Sequence, residues 1–421
     1  MLRVGLTGGI ACGKSHVLRR LAARGLPTLD LDEVAHELMA PGAPAHAEVV
    51  AAFGRGVLAG DGGIDRRALG ARVFVDEAAR ERLNAIVHPR VRAEEARQAA
   101  RVAGRGGSVF VTDAALIVET GVHLGFDRLV VVHCPPDEQV RRLVRRDGLD
   151  EGAARARLAA QMPIEEKRRY GHLAVDTSGT IAETEAGADR VAADLLSLAA
   201  HPSAPRAVPP ERARGLLARG PARGPRGLEP AGLLAEIAAA GGLEMERVAA
   251  RLVPPGEGPW YRRGRAGEPG PETLAGPLVL WVLARRGRDP ALALAAAFSL
   301  AQATHGDPES AAAACFFALA LLDVAGRDAS PAGFAGRTAV WSAQAEAWAG
   351  AAPPERVLAA VAAAADPASA GSGPGLAAGI AGLLIGVAAD DAPPAVREAL
   401  RRFAARPFAA APPFAADPRE P

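Results

Sequence analysis

Residues 6–16 read LTGGIACGKSH, and they fit G-x-x-x-x-G-K-[ST] with Gly8, Gly13, Lys14 and Ser15 at the fixed positions. Glycines let the backbone curl so that successive N–H groups point inward and cradle an anion. A helix that starts at once adds the positive end of its dipole. In this reading Lys14 reaches the β- and γ-phosphates of a nucleotide and the Ser15 hydroxyl ligates Mg²⁺. The flanks agree. Leu2 to Leu6 (LRVGL) reads as a short buried strand, and Val17, Leu18 and Leu21 recur at helical spacing. Strand, loop and helix is the arrangement the motif requires, whereas a mere tight turn leaves Lys14 and Ser15 unexplained.

A chain of 421 residues suggests two or three domains. Hydrophobic residues make up 49% but aromatics only 4%, so the expected cores are large, aliphatic and mostly helical. A net charge of +1 argues against a general nucleic-acid binder or a polybasic membrane anchor. Cys12, Cys134 and Cys315 lie far apart in sequence, with neither metal-ligand spacing nor a disulfide framework, which fits a reducing cytosol. Because the first strand begins at once, no signal peptide is expected. Residues 291–303 are apolar but follow Arg285, Arg286, Arg288 and Asp289. Residues 375–389 fall short of the roughly 20 needed to span a bilayer. Gly375, Gly379, Gly382 and Gly386 there would allow close helix packing. Buried helices are expected for both stretches.

Residues 1–200 alternate strand-like segments (2–6, 27–31, 108–112 and 128–133) with helical ones. This predicts an α/β P-loop domain, a parallel sheet flanked by helices. Ligands of such sheets bind beyond the carboxyl ends of the strands, where the loop, Asp30, Asp32, Asp113 and Pro135 fall. Residues 201–228, rich in Pro, Arg, Gly and Ala, read as a mobile linker. Residues 229–405 are alanine-rich, with helix-length apolar segments and no convincing strands, and are expected to form a mainly α-helical second domain. The tail 406–421 is expected to be disordered. No internal repeat is evident.

A phosphate loop names no reaction; two further stretches narrow it. In LPTLDLDEVAHEL (26–38), Asp30 and Asp32 are expected to end a strand, where alternation puts both carboxylates on one face. A carboxylate beside the phosphates can deprotonate or orient an attacking hydroxyl, or hold a water of Mg²⁺. Capping the helix over Glu33–Leu38 is the plainer role. In QVRRLVRRDG (139–148), Arg142 and Arg146 share a helix face beside Arg145. They read either as a lid that neutralises a transferring phosphoryl group or as a solvated basic helix.

Taken in order, LTGGIACGKS (6–15), LDLDEVAHEL (29–38), PGAPA (41–45), LNAIVHP (83–89), DAALIVETG (113–121), QVRRLVRRDG (139–148) and AQMPIEEK (160–167) resemble the dephospho-coenzyme A kinases over about residues 1–195. The resemblance implies a P-loop fold with helical acceptor and lid insertions. It implies transfer of the γ-phosphate of ATP, with Mg²⁺, to the ribose 3′-hydroxyl of dephospho-CoA, the last step of coenzyme A synthesis. By it, Gly8, Gly9, Ala11, Cys12, Gly13, Lys14, Ser15 and His16 hold the nucleotide, with Mg²⁺ on Ser15. Asp32 is the candidate base, Arg142 and Arg146 are lid arginines, and His88, Leu116 and Glu119 lie near the acceptor. His88, before Pro89, reads equally as a structural histidine, and Glu119 as an anchor behind the Asp113 turn.

The chain departs from the family pattern at Ala115 (usually proline), at Gly171-His172 (commonly Ala-Asp), at Thr177 (commonly Asn) and at His16 (usually Thr). None of these removes a phosphate or Mg²⁺ group. Cys12 reads as a small filler or as a thiol of lowered pKa. The expected partner is a small-molecule substrate, with no nucleic acid and no membrane, in the cytoplasm. Another small-molecule or nucleoside monophosphate kinase stays open, as does a nucleotide-dependent regulator. A guanine switch would want an Asn/Thr-Lys-x-Asp segment, and none is present.

The polar island in the second domain is ATHGDPESAAAACFFALALL (303–322), where Thr304, His305 and Asp307 are expected to cap a helix starting near Pro308. From about Gly276 onward the region is weakly similar to ADP-ribosylglycohydrolases. That alignment puts Gly373 and Gly375, in GSGPGLAAGIAGLLIG (371–386), where the family has metal-binding aspartates. Glycine offers no ligand, so the resemblance implies a truncated, non-catalytic relative; a generic helical interaction domain is the alternative. Trp281, Trp341 and Trp348 read as core.

Overall fold

The computed structural model describes residues 1–201, 229–240, 270–286, 289–326 and 334–363, with single positions at 245, 259, 261, 394, 396 and 398. The linker expected at 201–228, apart from residue 201, the tail at 406–421 and the glycine-rich stretch 371–386 lie outside the described residues.

Five strands form one parallel sheet: β1 (Leu2–Gly8), β2 (Thr28–Asp30), β3 (Val109–Asp113), β4 (Arg128–His133) and β5 (Leu173–Asp176), in the order β2-β3-β1-β4-β5. The three central strands are buried along their whole length, as their near-continuous apolar runs require of strands covered on both faces. Chain order and space order disagree between β1 and its neighbours. The carboxyl end of β1 therefore sits between those of β3 and β4, a switch point where ligands of open sheets bind.

Helices cover the sheet: α1 (Lys14–Ala23), α2 (Leu31–Leu38), α3 (His46–Phe53), α4 (Arg66–Val75), α5 (Glu77–Gly104), α6 (Pro136–Asp147), α7 (Glu151–Ala159), α8 (Ile164–Arg168) and α9 (Ile181–Ala200). Their limits follow local chemistry. Asp65 caps α4, Thr180 and Glu183 form a capping box on α9, and Gly148 in the left-handed conformation stops α6. The inserted helices α2 to α5 build a small core of their own around Leu31, Val34, Val49, Phe53, Val87 and Val91. The long α5 is tied to the sheet by Glu95, which is buried, pairs with Arg3 of β1 and accepts the Thr112 hydroxyl of β3 at 3.0 Å.

The expected strand 27–31 is shorter than its apolar pattern suggests. It ends at Asp30, whose carboxylate accepts the N–H groups of Asp32 and Glu33 at 2.9 and 3.3 Å and so turns the chain into α2. Asp32 thus stands in the first turn of a helix, not on the strand face shared with Asp30.

Beyond residue 229 the described elements are helical: Pro230–Ala240, Ala275–Arg286, Pro290–Thr304, Pro308–Gly326, Phe334–Ala349 and Glu355–Ala363, with a 3₁₀ turn at Pro271–Leu274. Asp307 opens the helix Pro308–Gly326 by accepting the Ser310 N–H at 2.8 Å. Thr304 instead bonds back to the Leu300 carbonyl, and His305 meets the Thr304 hydroxyl at 3.0 Å. Trp281 and Trp341 are buried, and Trp348 is half-buried. One hydrophobic core runs without a break from the sheet into these helices. Among the described residues no helix is long and apolar enough to cross a membrane.

Candidate functional site

The loop after β1 is shaped by what cannot fit there. A Cβ at Gly8 would strike the Val132 carbonyl, and one at Gly9 would strike the Gln139 amide. Gly13 adopts φ 77° and is the N-cap of α1 without a side-chain cap, so the first N–H groups of that helix stay open to an anion. Ala11 also has positive φ, 60°, the one non-glycine to do so among the described residues. Such a conformation costs on the order of 1–2 kcal/mol and persists because neighbours fix it. Gln139 donates to the Ile10 carbonyl at 2.7 Å, and Gln161 accepts the Ile10 N–H at 2.9 Å.

The loop opens on a cleft of about 750 Å³ beyond the carboxyl ends of the strands. Gly8, Gly9, Ala11, Cys12, Gly13, Lys14, Ser15 and His16 line it on one side, Asp30, Asp32 and Ala115 on another, and Arg142, Arg145, Arg146 and Gln161 on a third. The Lys14 ammonium is paired with Asp113 at the end of β3. Burial pushes the Asp113 carboxyl up to about 6, against the pull of Lys14. Its Oδ2 is buried and has no hydrogen-bond partner among the described residues. Asp32 is exposed in the cleft, with protein on enough sides to strip part of its hydration. The lost hydration raises its pKa, while the charges of Lys14 and Arg66 lower it and that of Asp30 raises it further.

The arginines of α6 differ in what they do. Arg142 is held by Glu138 at 2.7 Å and donates to the Thr177 carbonyl at 2.6 Å, reaching across from α6 to the end of β5. The Thr177 hydroxyl in turn donates to the Cys12 carbonyl at 2.8 Å. Arg142 thereby braces the phosphate loop through Thr177. Arg146 pairs with Asp147 at 2.7 Å and stays exposed. His16 turns its ring toward Glu185 of α9, 3.4 Å away.

Cys12 and Cys134, distant in sequence, lie buried with their sulfurs 3.8 Å apart. The hydrogen bond to Cys134, then burial, push the Cys12 thiol up, opposite to an activated cysteine. Cys134 is shifted the other way by Cys12 and Arg142.

The residues expected near the acceptor are spread out. Leu116, next to Ala115 at the cleft wall, is 46% exposed, unusual for a large apolar side chain. Glu119 is not among the cleft-lining residues; it pairs with the fully buried Lys167 at 2.6 Å. His88 lies on α5 outside the cleft lining, its pKa lowered by desolvation and then by Arg92. A second hollow of about 500 Å³ lies among the inserted helices, lined by His36, Met39, Asp61, Arg66, Leu69 and Leu83 among others. Arg66 of this second lining is near enough for its charge to lower the Asp32 pKa.

The sequence profile described as dephospho-CoA kinase matches residues 2–183. A protein of Anaeromyxobacter dehalogenans with that name is 47% identical over 192 residues, covering 46% of this chain and 91% of that protein. Its namesake in Geobacter sulfurreducens is 47% identical over 182 residues, 43% of this chain and 92% of its own length. The chain belongs to the dephospho-CoA kinase family. A solved structure from Thermus thermophilus is 32% identical and covers 46% of this chain and 97% of its own, with a TM-score of 0.41.

In this dephospho-CoA kinase relative, several site residues escaped the motif reading. Asp113 reads in the sequence only as a strand-end aspartate; its role comes from the pair it makes with Lys14. Lys167 closes the AQMPIEEK run, yet nothing in the spacing brings it back to Glu119, 48 positions earlier. Thr177 looked like a lost asparagine and proves to be a bridge to the phosphate loop.

Proposed function

We propose that this chain transfers the γ-phosphoryl group of ATP to the ribose 3′-hydroxyl of dephospho-CoA, with residues 1–200 as the kinase domain. One observation carries the reading: an amide cradle with Lys14 and the carboxylate of Asp32 line the same cleft, in a chain whose family is that of these kinases. The cradle and Lys14 bind the β- and γ-phosphates, and Lys14 leaves Asp113 to do so. Asp32, exposed in the cleft with its pKa raised by partial desolvation, accepts the proton of the attacking hydroxyl or holds that hydroxyl in line. Arg145 and Arg146, which line the cleft from the lid side, neutralise charge as the phosphoryl group moves. The 500 Å³ hollow next to Arg66 suits the remainder of the acceptor.

The donor set fits Mg²⁺. Asp113 offers a buried, unpartnered carboxylate oxygen, and the Ser15 hydroxyl lies at the start of α1 in the same cleft. These two would hold the ion, which, when bound, supplies charge neutralisation at the phosphate oxygens. Residues 229–405 enter this reading as a mainly helical second domain that shares its core with the kinase domain, in a cytoplasmic enzyme. The Thr304-His305-Gly306-Asp307-Pro308 turn supports its kinship with a non-catalytic ADP-ribosylglycohydrolase-like domain.

Acceptor screening of the purified full chain tests the proposal, reading ADP released from Mg·ATP. Dephospho-CoA should turn over and nucleoside monophosphates should not. Turnover of monophosphates alone overturns the acceptor, and ATP binding without any acceptor turnover favours a nucleotide-dependent regulator.

A further inference from the structure

The segment Lys167–His172 has two ends that face different parts of the molecule. At one end Lys167 is fully buried. Its Nζ lies 2.6 Å from Glu119 Oε1 and donates to the Ala115 carbonyl at 2.9 Å. That same carbonyl accepts the Thr7 hydroxyl of β1 at 2.9 Å, and Ala115 is cleft wall. At the other end the side chains are embedded in the helices beyond residue 289. Arg169 donates to the Ala349 carbonyl at 2.6 Å and lies 5.2 Å over the Phe298 ring. Tyr170 meets Phe298 edge-on, and His172 meets Trp348 edge-on. A tight turn joins the two ends, with the Tyr170 N–H donating to the Lys167 carbonyl at 3.1 Å.

The surroundings fix this attachment. The Arg128 guanidinium forks onto both oxygens of Asp289 at 2.8 and 3.1 Å in a buried pair. His123 bonds the Ser299 hydroxyl at 2.8 Å. Arg128 and Leu173 begin β4 and β5, so the helices dock at the amino ends of these strands, away from the cleft mouth. Whatever they do to the site must pass through the protein rather than across its entrance.

We propose that the appended helices position the acceptor-side wall of the cleft through Lys167–His172, with Lys167 as the positioning residue. The inference rests on the kinase reading above. A buried ammonium holds its partners only while its geometry is exact, because it has no water to fall back on. Burial already presses the Lys167 pKa down, and Glu119 opposes that shift. Loosening the docked end of the segment lets Lys167 move, and the Ala115–Glu119 stretch, with Ala115 at the cleft wall, moves with it. The sheet order tells which substrate feels this. β3, from which the wall continues, lies between β2, which leads to Asp32, and β1, which leads to the phosphate loop. The nucleotide's other flank is built by Arg142 and Thr177 at the far side of β1. The acceptor should respond, and ATP should not.

The test uses the full chain with Arg169→Met or Trp348→Leu at the docked end and Lys167→Met at the cleft end, plus Lys167→Met with Glu119→Gln to avoid stranding a buried charge. ATP Kd, kcat, KM for dephospho-CoA and amide hydrogen exchange over residues 114–120 are read for each. Arg169→Met and Trp348→Leu should each raise the acceptor KM about threefold or more, leave the ATP Kd unchanged and speed exchange over 114–120. Arg169→Lys should restore part of the loss. Wild-type-like KM and exchange in both docked-end variants overturn the proposal, as does a shift confined to ATP. A wild-type chain that fails to phosphorylate dephospho-CoA overturns the kinase reading instead. The exchange measurement still tests whether the helices hold the wall.

Discussion

Asp30 and Asp32 are two positions apart and do different work. Asp30 spends its carboxylate on the N–H groups that start α2, which leaves Asp32 unspent in the cleft beside Lys14. Asp32→Asn keeps the size and the helix start. It is expected to lower kcat by about 10²-fold or more, the usual scale for a lost general base, while ATP Kd holds. A kcat within a few-fold of wild type would leave Asp32 as mere filling of the first helical turn. Thr177 invites a comparison of the same kind. Its hydroxyl contacts the Cys12 and His133 carbonyls at 2.8 and 3.1 Å, and Val has the same shape without the donor. Thr177→Val should cost about 1–3 kcal/mol for a stranded buried acceptor and weaken ATP binding by loosening the loop, whereas Thr177→Ser should keep most of both. Equal ATP Kd and equal denaturation midpoints in the Val and Ser forms would show that the bridge carries no weight.

Among the elements, the turns before β4 and β5 carry two desolvated imidazoles, His123 buried and His172 half-buried. Burial takes His123 and His172 down to about 3, with the Arg128 charge adding to the shift at His172. The unfolded chain binds protons at these rings near the ordinary 6.5, and the folded chain does not until about pH 3. Between those limits the unfolded state holds more protons, so stability falls as pH falls. Each ring contributes roughly 1.4 kcal/mol per pH unit, on the order of 4 kcal/mol for both at pH 5. Asp113, raised to about 6, acts in the opposite sense between its ordinary 3.8 and that value and offsets part of one ring. The ligand-free Tm is therefore expected to drop between pH 7 and pH 5, and His172→Gln should make the drop shallower; a Tm flat over that range would contradict it. These same elements mark what the sequence could tell. The motif 6–16 and the apolar runs of β1, β3 and β4 announced the sheet and its ligand edge, because buried parallel strands and a phosphate loop leave local signatures. The break at Asp30 did not show, since TLDLD alternates whether or not a cap interrupts it. The Lys167–Glu119 pair did not show either, because only the folded turn after β3 brings them together.

At the scale of the whole molecule, the composition change near residue 201 suggested a separate appendage, yet the sheet's hydrophobic core continues into the helices beyond it. The relatives show that the kinase part can stand as nearly a whole protein, since the match covers 91% and 92% of theirs. In this chain the added helices cover part of that domain's surface, and residue 172 lies at the contact. The His172 ring meets the edge of Trp348, its Nε2 is buried, and its Nδ1 accepts the Leu129 N–H at 3.0 Å. An aspartate there can still accept from Leu129, but in the full chain it would bury a carboxylate beside Asp289 and abandon Trp348. His172→Asp is therefore expected to destabilise the full chain by about 2 kcal/mol or more, the penalty of an ill-paired buried charge. In residues 1–201 alone the same change puts a hydrated carboxylate on an uncovered surface, and it should leave the Tm unchanged or raise it while reducing aggregation. Thermal unfolding of the four proteins, each length with and without the substitution, reads the difference. Opposite responses at the two lengths mean that the sequence around β5 is fitted to the helices that cover it, and a like response at both would mean that their docking leaves residue 172 as wet as in a protein without them.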